Sequence, residues 1–382
     1  MKNYRRKFLK RAGYTTLSTL LTMGFLQKDK HSMNAAMANY ISASVNSPLR
    51  QLAAAKGKRY GTAISSDALQ KEPDYAKLIA RECSIATPNG ELKWSGTEPE
   101  PGYFTFELAD AIANFCQKHN MTMHGHTLFW HLSKPDWVPY PPTLKMLERH
   151  VTGVMGHYRK SPVLKSWDIA NEIIADTPDG TDNRYGLRRG VKPELIRDLF
   201  VIAAEVDRNK KFCLNDFGIE GATWKSDHYL KMVEYLKNNG VKLDWAGLQS
   251  HLWFSKNYPF DEKGFSSVLK RLKDLEVKPV ITELDVIIDT PFPDSIEKLD
   301  QMIADGYKRF LELCFAGGVD TVITWGITDR HTWIRYPQWM PQKYKDNPEF
   351  QKFLRPLPFD EKLQPKLARN AIAQALQQAP PS

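Results

Sequence analysis

Cysteine is scarce in this sequence, and its copies lie far apart. The 382 residues contain only Cys83, Cys116, Cys213 and Cys314, and no two of them form a Cys-x-x-Cys pair. Paired spacing is typical of zinc sites, and a dense, even set of cysteines is typical of disulfide frameworks in small secreted domains. The sequence predicts neither, and we interpret the four residues as small members of a hydrophobic core.

Long apolar runs are missing as well. A transmembrane helix needs about 20 consecutive apolar residues, and no stretch after residue 38 approaches that length. The N-terminal segment joins a basic head, RRKFLK at residues 5–10, to a short run interrupted by Thr, Ser and Gly. This head resembles a twin-arginine export signal, although Tyr4 stands where Ser or Thr is usual.

We therefore predict a cleaved twin-arginine-type signal peptide over residues 1–38, followed by a linker over residues 39–50. The small residues Ala36 and Ala38 offer a cleavage site, and the mature protein would be periplasmic or extracellular. A twin-arginine substrate folds before export in a reducing compartment, where disulfides are not expected. The alternative is a disordered basic tail.

An excess of positive charge would suggest a nucleic-acid partner, but most of the excess lies in the leader. The full sequence has a net charge of +9. Residues 1–38 hold eight lysines and arginines against one aspartate, so the remainder carries only +2. We therefore expect no nucleic-acid partner and no membrane span in the mature protein.

Short β-rich runs alternate with helical stretches after the leader, and no Gly/Ser/Pro-rich linker divides them. The β-rich runs are 59–64, 83–88, 121–128, 164–171, 211–216, 243–250, 278–285 and 320–326, and helical spacing is present in 106–120, 192–207, 226–240 and 296–318. Eight alternations with apolar strands predict an α/β fold, a (β/α)8 TIM barrel that forms one domain over residues 51–382. An open doubly wound sheet is the competing architecture, but no Gly-x-Gly-x-x-Gly turn follows the first strand.

Polar and aromatic residues recur where these strands end. They are His126, Trp130, His131, Asn171, Glu172, Asn215, Asp216, Gln249, His251, Glu283, Asp285 and Trp325. The carboxyl ends of the strands form the active site of a (β/α)8 barrel. Each residue alone has an ordinary explanation, since an Asn-Asp pair can cap a helix and a lone His is commonly a hydrogen-bonded core residue. Repetition at successive strand ends favours a catalytic site.

Glu172 and Glu283 are the carboxyls that such a site would use. They end the fourth and seventh predicted strands, so a bound molecule could lie between them. A pair of carboxyls flanking a glycosidic bond can protonate the leaving oxygen and meet the developing oxocarbenium ion. We expect His251 and Asp285 to hydrogen-bond Glu283 and keep it ionised, and that charge to raise the pKa of Glu172. A separation of about 5–5.5 Å would make the enzyme retaining, with a glycosyl-enzyme intermediate on Glu283.

Tryptophans give a second indication of a carbohydrate site. Those just past predicted strand ends are Trp94, Trp130, Trp253, Trp325 and Trp333. Aromatic faces stack on sugar rings, because sugars present apolar C–H surfaces between their hydroxyl groups. Ordinary packing within loops is the alternative for any single tryptophan.

Six segments together resemble the family-10 glycoside hydrolases, the β-1,4-xylanase family. In chain order they read GHTLFWH, WDIANEII, CLNDF, LDWAGLQSH, VITELDV and TWGITDRHTW, and the likeness covers roughly residues 50–375. The resemblance implies a (β/α)8 barrel that hydrolyses β-1,4-linked xylan-type chains with retention. It implies that Glu172 is the acid/base and Glu283 the nucleophile.

The resemblance also implies a set of sugar contacts. His126, Trp130 and Asn171 would hold the sugar just before the scissile bond, Gln249 and His251 would lie near the nucleophile, and Trp325 would be that sugar's platform. Lys93, Trp94, Asn215 and Trp333 complete the expected substrate-binding set. We expect no cofactor or metal, and we expect a monomer whose partner is a polysaccharide or oligosaccharide.

The chain departs from the family pattern on the glycone side. Where the family usually reads Glu-Asn-Glu-Met-Lys-Trp, Asn89 and Gly90 replace the carboxylate and amide that grip the next sugar. The other replacements are Ser133 for a sugar-binding Gln, His124 for Arg, Phe217 for Tyr and Gly218 for Asn. Losing hydrogen bonds worth about 0.5–1.5 kcal/mol each would weaken binding without touching the proton transfers. We therefore expect a preference for bulkier, decorated or glucose-containing chains.

Two other classes of function stay open at this stage. The His-x-His of HGHTLFWH is typical of metal-dependent hydrolases, but that class needs further ligands at other strand ends, and His251 alone is available. The lost sugar contacts would also fit a secreted, non-catalytic carbohydrate-binding protein on the same scaffold. Against this second alternative, Glu172 and Glu283 are both present together with their expected supporters.

Overall fold

Eight parallel strands close into a barrel in the computed structural model, which describes residues 47–254, 260–289 and 292–382. The strands are β1 (Arg59–Ile64), β2 (Ile85–Pro88), β3 (Thr122–Gly125), β4 (Leu164–Asn171), β5 (Lys211–Asp216), β6 (Trp245–Leu248), β7 (His251–Phe254), β8 (Lys278–Ile288) and β9 (Thr321–Thr324). All except β7 form the ring, because β6 pairs directly with β8 and β9 returns to pair with β1. The predicted α/β class and (β/α)8 barrel are confirmed.

Helices surround this barrel and follow most of its strands. They are α1 (Leu49–Ala54), α2 (Ser66–Lys71), α3 (Pro73–Glu82), α4 (Trp94–Thr97), α5 (Glu107–Lys118), α6 (Leu144–Tyr158), α7 (Pro193–Val206), α8 (Trp224–Asn238), α9 (Glu262–Asp274), α10 (Ile296–Ala316), α11 (Gln342–Asp346) and α12 (Leu367–Gln378). The four helical stretches predicted from spacing correspond to α5, α7, α8 and α10. Their apolar residues face the strands, as the helical period requires.

The core lies between the barrel strands and these helices. Strand β8 shows the pattern, since every residue after Lys278 in this strand is buried. Parallel strands covered on the outside by helices are buried on both faces in this way. All four cysteines are buried, and none forms a disulfide.

The predicted sixth strand, 243–250, is in fact two short strands. Strand β6 ends at Leu248, and Ser250 adopts a left-handed conformation with φ of 62°. His251 then begins β7 and pairs in register with Asp285 of β8. The turn matters for function because it brings His251 alongside the strand that carries Glu283.

The structured domain starts slightly before the predicted boundary at residue 51. Leu49 opens α1 and is fully buried, and Arg50 donates hydrogen bonds to the carbonyls of Ala80 and Asn120. The predicted linker, 39–50, therefore overlaps the first turn of α1. The predicted signal peptide and residues 39–46 lie outside the described residues. Among the helices that the structure does describe, none is long and apolar enough to span a bilayer.

Candidate active site

Glu172 stands where β4 stops being a strand. Asn171 is the last strand residue, and Glu172 takes a left-handed conformation with φ of 54° that few residues other than glycine adopt. The backbone N–H of Glu172 donates to the carbonyl of Asn215 at 2.9 Å, and the backbone carbonyl of Glu172 accepts a hydrogen bond from Arg188 Nε at 2.7 Å. A polar residue held in this strained conformation by its neighbours is typical of a functional position.

Glu283 lies in the middle of β8 and is almost completely buried. Its Oε1 accepts a hydrogen bond from Asn215 Nδ2 at 2.8 Å, and its Oε2 lies 3.3 Å from His251 Nε2. Burial opposes ionisation of this carboxyl, but the His251 hydrogen bond and the charges of His126 and His251 outweigh it and lower the pKa of Glu283. Glu283 is therefore the group that stays ionised.

Three side-chain amides connect the two carboxyls. Gln249 Nε2 donates to Glu172 Oε1 at 3.1 Å and to Asn171 Oδ1 at 3.2 Å. Asn215 Nδ2 donates to the same Asn171 oxygen at 2.9 Å as well as to Glu283. We call Asn171, Asn215 and Gln249 the amide network. It places Glu172 and Glu283 at the two ends of one short chain of hydrogen bonds.

The pKa of Glu172 is raised, as the sequence predicted, but for a different main reason. Burial is the largest cause, the negative charge of Asp216 is the second, and the charge of Glu283 adds a smaller contribution against the lowering effect of Gln249. The prediction considered only Glu283. A carboxyl with a raised pKa holds its proton to higher pH and can act as an acid.

His251 joins Glu283 to a second buried carboxylate. Its Nδ1 lies 3.0 Å from Asp285 Oδ2, and Trp333 Nε1 donates to the same oxygen at 2.6 Å. Although burial lowers the pKa of His251, Asp285 and Glu283 raise it well above its usual range. Asp285 was predicted to bond Glu283 itself, whereas in the structure it reaches Glu283 through His251.

His126 is held by an aspartate that the sequence analysis missed. Asp168 Oδ2 lies 2.9 Å from His126 Nδ1 and 3.0 Å from His124 Nε2, and His126 Nδ1 lies 3.9 Å from Glu283 Oε1. The signal was available, since polar residues alternate at 124 and 126, in and just past β3, and at 166 and 168 in β4, which directs them to one face. Both ring nitrogens of His124 have partners, Ser166 at 2.7 Å and Asp168 at 3.0 Å, so this histidine has no nitrogen left for a metal. No cluster of potential metal ligands occurs elsewhere in the described part of the chain.

Lys93 and two tryptophans form another wall of the site. Lys93 Nζ lies 4.7 Å from the ring centre of Trp130 and 5.9 Å from that of Trp325. Burial lowers the pKa of Lys93, against the opposing attraction of Glu283 and Glu172. The Trp325 ring also meets His126 edge-on at 5.1 Å. Lys93, Trp130 and Trp325 therefore lie close together, and Lys93 is near enough to both carboxyls to feel their charge.

Trp94 does not belong to this wall of the site. It is fully buried, its Nε1 donates to Glu98 Oε2 at 3.0 Å, and its ring stacks on His150 with centres 4.4 Å apart. The predicted contact between Trp94 and a sugar is therefore wrong. A position just after a strand end places a residue near the mouth of the barrel but does not fix the direction of its side chain. Trp94 begins helix α4, and its indole points into the protein interior.

A series of ion pairs with alternating charges supports the loop that follows Glu172. Of the residues in this series, the sequence analysis singled out only Asp216. Arg188 donates to both carboxylate oxygens of Asp176 at 3.1 Å. Lys225 Nζ lies 3.0 Å from Asp176 Oδ1 and 3.0 Å from Asp216 Oδ1. Asp216 Oδ2 accepts the backbone N–H of Ile174 at 3.1 Å. We call Asp176, Arg188, Asp216 and Lys225 the charged clamp.

The replaced glycone-side residues leave space and unused hydrogen-bonding capacity. The Ser133 hydroxyl is buried without a hydrogen-bond partner among the described residues. Gly90 faces open space, since a Cβ built there would meet no atom within 4 Å. Next to the charged clamp, Phe217 lies beneath Lys225, whose Nζ is 3.2 Å from the ring centre.

Comparison with known proteins identifies the family. The model of glycosyl hydrolase family 10 matches residues 48–375. The chain belongs to glycosyl hydrolase family 10. Endo-1,4-beta-xylanase B of Thermotoga neapolitana is 30% identical over 340 residues, which cover 87% of this chain and 92% of that protein. Beta-1,4-xylanase of Dictyoglomus thermophilum is 31% identical over 310 residues, covering 77% of this chain and 82% of that protein.

Solved structures of family-10 xylanases share the fold. Xylanase 10B from Thermotoga maritima gives a TM-score of 0.74 at 29% identity and covers 87% of this chain and 98% of its own. Xylanase10C from Cellvibrio japonicus, solved as the E385A mutant with xylopentaose, gives 0.77 at 26% identity and covers 89% of this chain and 71% of its own. The resemblance found in the sequence is confirmed, and the chain is a glycoside hydrolase of the endo-1,4-β-xylanase type.

Proposed function

We propose that this enzyme hydrolyses β-1,4-linked xylan-type chains by double displacement, with retention at the anomeric carbon. The observation that carries the proposal is the buried carboxyl pair, Glu172 and Glu283, whose pKa values are shifted in opposite directions at the two ends of the amide network. Solved relatives with xylobiose and xylopentaose support the substrate class.

In the first step, the Glu283 carboxylate attacks the anomeric carbon while protonated Glu172 gives its proton to the leaving oxygen. The glycosidic C–O bond breaks and a covalent glycosyl ester forms on Glu283. The expected separation of the carboxyls is about 5–5.5 Å, which leaves no room for a water between Glu283 and the sugar. His251 keeps Glu283 ionised until the attack.

In the second step, Glu172 acts as a base. It takes a proton from water, the water oxygen attacks the anomeric carbon, and the ester bond to Glu283 breaks. The negative charge of Glu283 is absent in the intermediate, so one cause of the raised pKa of Glu172 disappears when a base is needed.

The neighbouring residues receive positioning and binding roles in this proposal. Asn215 orients Glu283, and Asp285 holds His251 through a hydrogen bond. The amide network and His126 supply donors and acceptors for sugar hydroxyls beside the reacting carbon. Lys93, Trp130, Trp325 and Trp333 form the walls that contact the ring.

Export through a twin-arginine-type signal over residues 1–38 remains part of the proposal, and it rests on the motif RRKFLK. The comparisons do not favour a non-catalytic carbohydrate-binding protein. That alternative predicts no turnover of an activated aryl β-xyloside.

Trapping with a mechanism-based 2-fluoro-xyloside tests the nucleophile, the retention and the sugar type together. We expect stoichiometric inactivation and a mass increase on the peptide that contains Glu283. The Glu283→Ala variant should not be labelled and should lose at least about 10³-fold in kcat. Labelling of another residue, or formation of the inverted product by NMR, would contradict the proposal.

A further inference from the structure

A line of buried side chains leads from the interior of the barrel to Glu283. His124 Nε2 lies 3.0 Å from Asp168 Oδ2, and the same oxygen lies 2.9 Å from His126 Nδ1. His126 Nδ1 is in turn 3.9 Å from Glu283 Oε1. The four side chains are at most 5% exposed, so water screens their charges little. We call His124, Asp168 and His126 the buried triad.

Asp168 is the shared member of the buried triad. Its main chain is fixed independently of the histidines, because its carbonyl accepts hydrogen bonds from the Leu128 N–H at 3.1 Å and from the Thr127 hydroxyl at 2.9 Å. Its carboxylate Oδ2 contacts both imidazole rings. The neighbouring Cys213 thiol stays uncharged, since burial and then the charge of Asp168 raise its pKa. The two rings therefore make the charged contacts of this carboxylate.

The charge of His124 reaches Glu283 through Asp168. Burial opposes ionisation of Asp168, but the charge of His124 is the largest lowering cause, His126 adds to it, and together they hold the pKa of Asp168 far below its usual range. Burial is the largest cause that raises the pKa of Glu283, and the negative charge of Asp168 raises it further. A cation that faces Asp168 offsets this second contribution. The ionised state of Glu283 therefore depends in part on His124.

His124 itself has no ring nitrogen free for a substrate. Its Nδ1 lies 2.7 Å from Ser166 Oγ, on the strand that also carries Asp168, and its Nε2 faces Asp168. Trp245 lies beside the ring with the two centres 5.9 Å apart, and the Arg59 guanidinium lies over the same indole at 5.5 Å. Only 1% of the surface of His124 is exposed. Any influence of His124 on the reaction therefore passes through Asp168.

His126 is the end of the buried triad that faces the reacting groups. Asp168 contacts its Nδ1, and the edge of Trp325 meets the ring with centres 5.1 Å apart. Its Nε2 is the nitrogen left for a hydroxyl group of the substrate. A rotated Asp168 carboxylate would release Nδ1 and change the position of the imidazole relative to Glu283 Oε1. The orientation of this carboxylate therefore matters on the substrate side of the triad.

We propose that His124 is a positioning residue for the reaction, which acts on Glu283 through Asp168 and His126. This inference rests on the proposed function, because it assumes that Glu283 is the nucleophile. It also changes the interpretation of one departure from the family pattern. The sequence analysis grouped His124, in place of arginine, with lost sugar contacts, whereas the structure places it behind His126 with both nitrogens occupied.

The test compares His124→Gln, which removes the cation, with His124→Arg, which restores a permanent one, in the full chain. His157→Gln is the matched control, since His157 Nε2 lies 3.0 Å from Asp110 Oδ1 in a half-exposed pair outside the site. The pH profile of kcat/KM is measured on an aryl β-xyloside with a good leaving group, so that proton donation by Glu172 does not limit the rate. NMR of 15N-labelled histidine rings is recorded for each protein.

We expect His124→Gln to move the acid limb of the profile to higher pH. Without the cation, the charge of Asp168 raises the pKa of Glu283, so activity is lost earlier as the pH falls. The loss of kcat/KM on that limb should exceed the loss on the plateau at least about threefold. The ring signal of His126 should shift in the same variant. His124→Arg should restore the acid limb, and His157→Gln should keep both the profile and the His126 signal.

An equal loss at all pH values, or an unchanged profile with an unchanged His126 signal, overturns the inference. So does a displacement of the limb in His124→Arg as large as that in His124→Gln. If His124→Gln does not fold, Ser166→Ala takes its place, because it removes the other partner of the ring, and an unchanged limb and His126 signal then overturn the inference. Absence of turnover by the wild type overturns the proposed function instead, and the His126 signal decides about the buried triad separately.

Discussion

Glu172 and Glu283 have the same side-chain chemistry, yet their pKa values shift in opposite directions. Burial alone would raise both. Glu283 accepts a hydrogen bond from Asn215 and faces two histidines, so its ionised form is stabilised. Glu172 faces Asp216 and Glu283, and its ionised form is destabilised. The neighbours, and not the residue type, therefore assign the two proposed roles.

At the residue scale we predict that Asp216→Asn moves the alkaline limb of the kcat/KM profile to lower pH. The charge of Asp216 raises the pKa of Glu172, so its removal lowers that pKa. An acid catalyst must be protonated, and activity is lost as pH rises through its pKa. The profile is measured on an aryl β-xyloside with a poor leaving group, where proton donation limits the rate.

The control for this variant is Asp274→Asn, which removes the same charge from the exposed end of α9, where Asp274 pairs with Lys270. It should leave the profile unchanged. If Asp216→Asn reduces activity equally at all pH values, Asp216 supports the charged clamp without influencing the acid.

At the scale of secondary structure elements, the break between β6 and β7 positions the residues around Glu283. Ser250 takes a left-handed conformation, and its N–H and hydroxyl both donate to Glu220 Oε1, at 2.7 and 3.2 Å. This turn separates Gln249, which points to Glu172, from His251, which points to Glu283. In one uninterrupted strand these two residues, which are two positions apart, would lie on the same face of the sheet.

Strand β6 also contains a glycine that leaves room for the amide network. A Cβ at Gly247 would lie 2.5 Å from Asn215 Oδ1 and 2.7 Å from Cys213 Sγ. We predict that Gly247→Ala displaces Asn215, lowers kcat at least tenfold and destabilises the fold by about 1–3 kcal/mol. Steady-state kinetics and chemical denaturation measure the two effects.

Gly156→Ala is the matched control, because the added methyl group meets no atom within 4 Å. It should keep wild-type kcat and stability or gain slightly in helix stability. Wild-type kinetics of Gly247→Ala would show that Asn215 can move without affecting Glu283.

At the scale of the whole molecule, the C-terminal segment is fastened to the barrel through buried ion pairs. Lys366 Nζ lies 2.8 Å from Asp329 Oδ2 and also donates to the carbonyl of Arg355. Arg369, in α12, lies 3.2 Å from Glu82 Oε2, and the same carboxylate oxygen accepts the N–H of Leu49. The two ends of the described domain thus share one buried carboxylate.

We predict that Lys366→Met destabilises the protein by about 3–5 kcal/mol, because it leaves Asp329 buried without its cation. The exposed neighbour Lys362, replaced in the same way, should change stability by less than about 0.5 kcal/mol. Thermal and denaturant unfolding measure both. Equal stabilities of the two variants would show that Asp329 is satisfied by its backbone contacts alone.

Much of this architecture was predictable from local pattern. The strand runs 59–64, 164–171 and 211–216 agree with β1, β4 and β5 in both bounds, since continuous apolar sequence and clear turn signals define them. The runs at 83–88 and 121–128 were predicted too long, because strand ends depend on pairing with neighbours. The split of 243–250 was missed for the same reason, as its backbone turn at Ser250 has no strong sequence signal.

The amino-acid sequence by itself determined the eightfold alternation, the polar residues at the strand ends and the family, because these follow from periodicity and from short motifs. Only the tertiary structure decided which of those residues meet. In the folded protein Trp94 is buried in the core, and Asp285 contacts His251 rather than Glu283. Asp168 and the charged clamp lie beside the site, although the positions of most of them in the sequence did not indicate this. Side-chain direction, hydrogen-bond partners and pKa shifts arise from contacts between strands distant in the chain, and local sequence cannot specify such contacts.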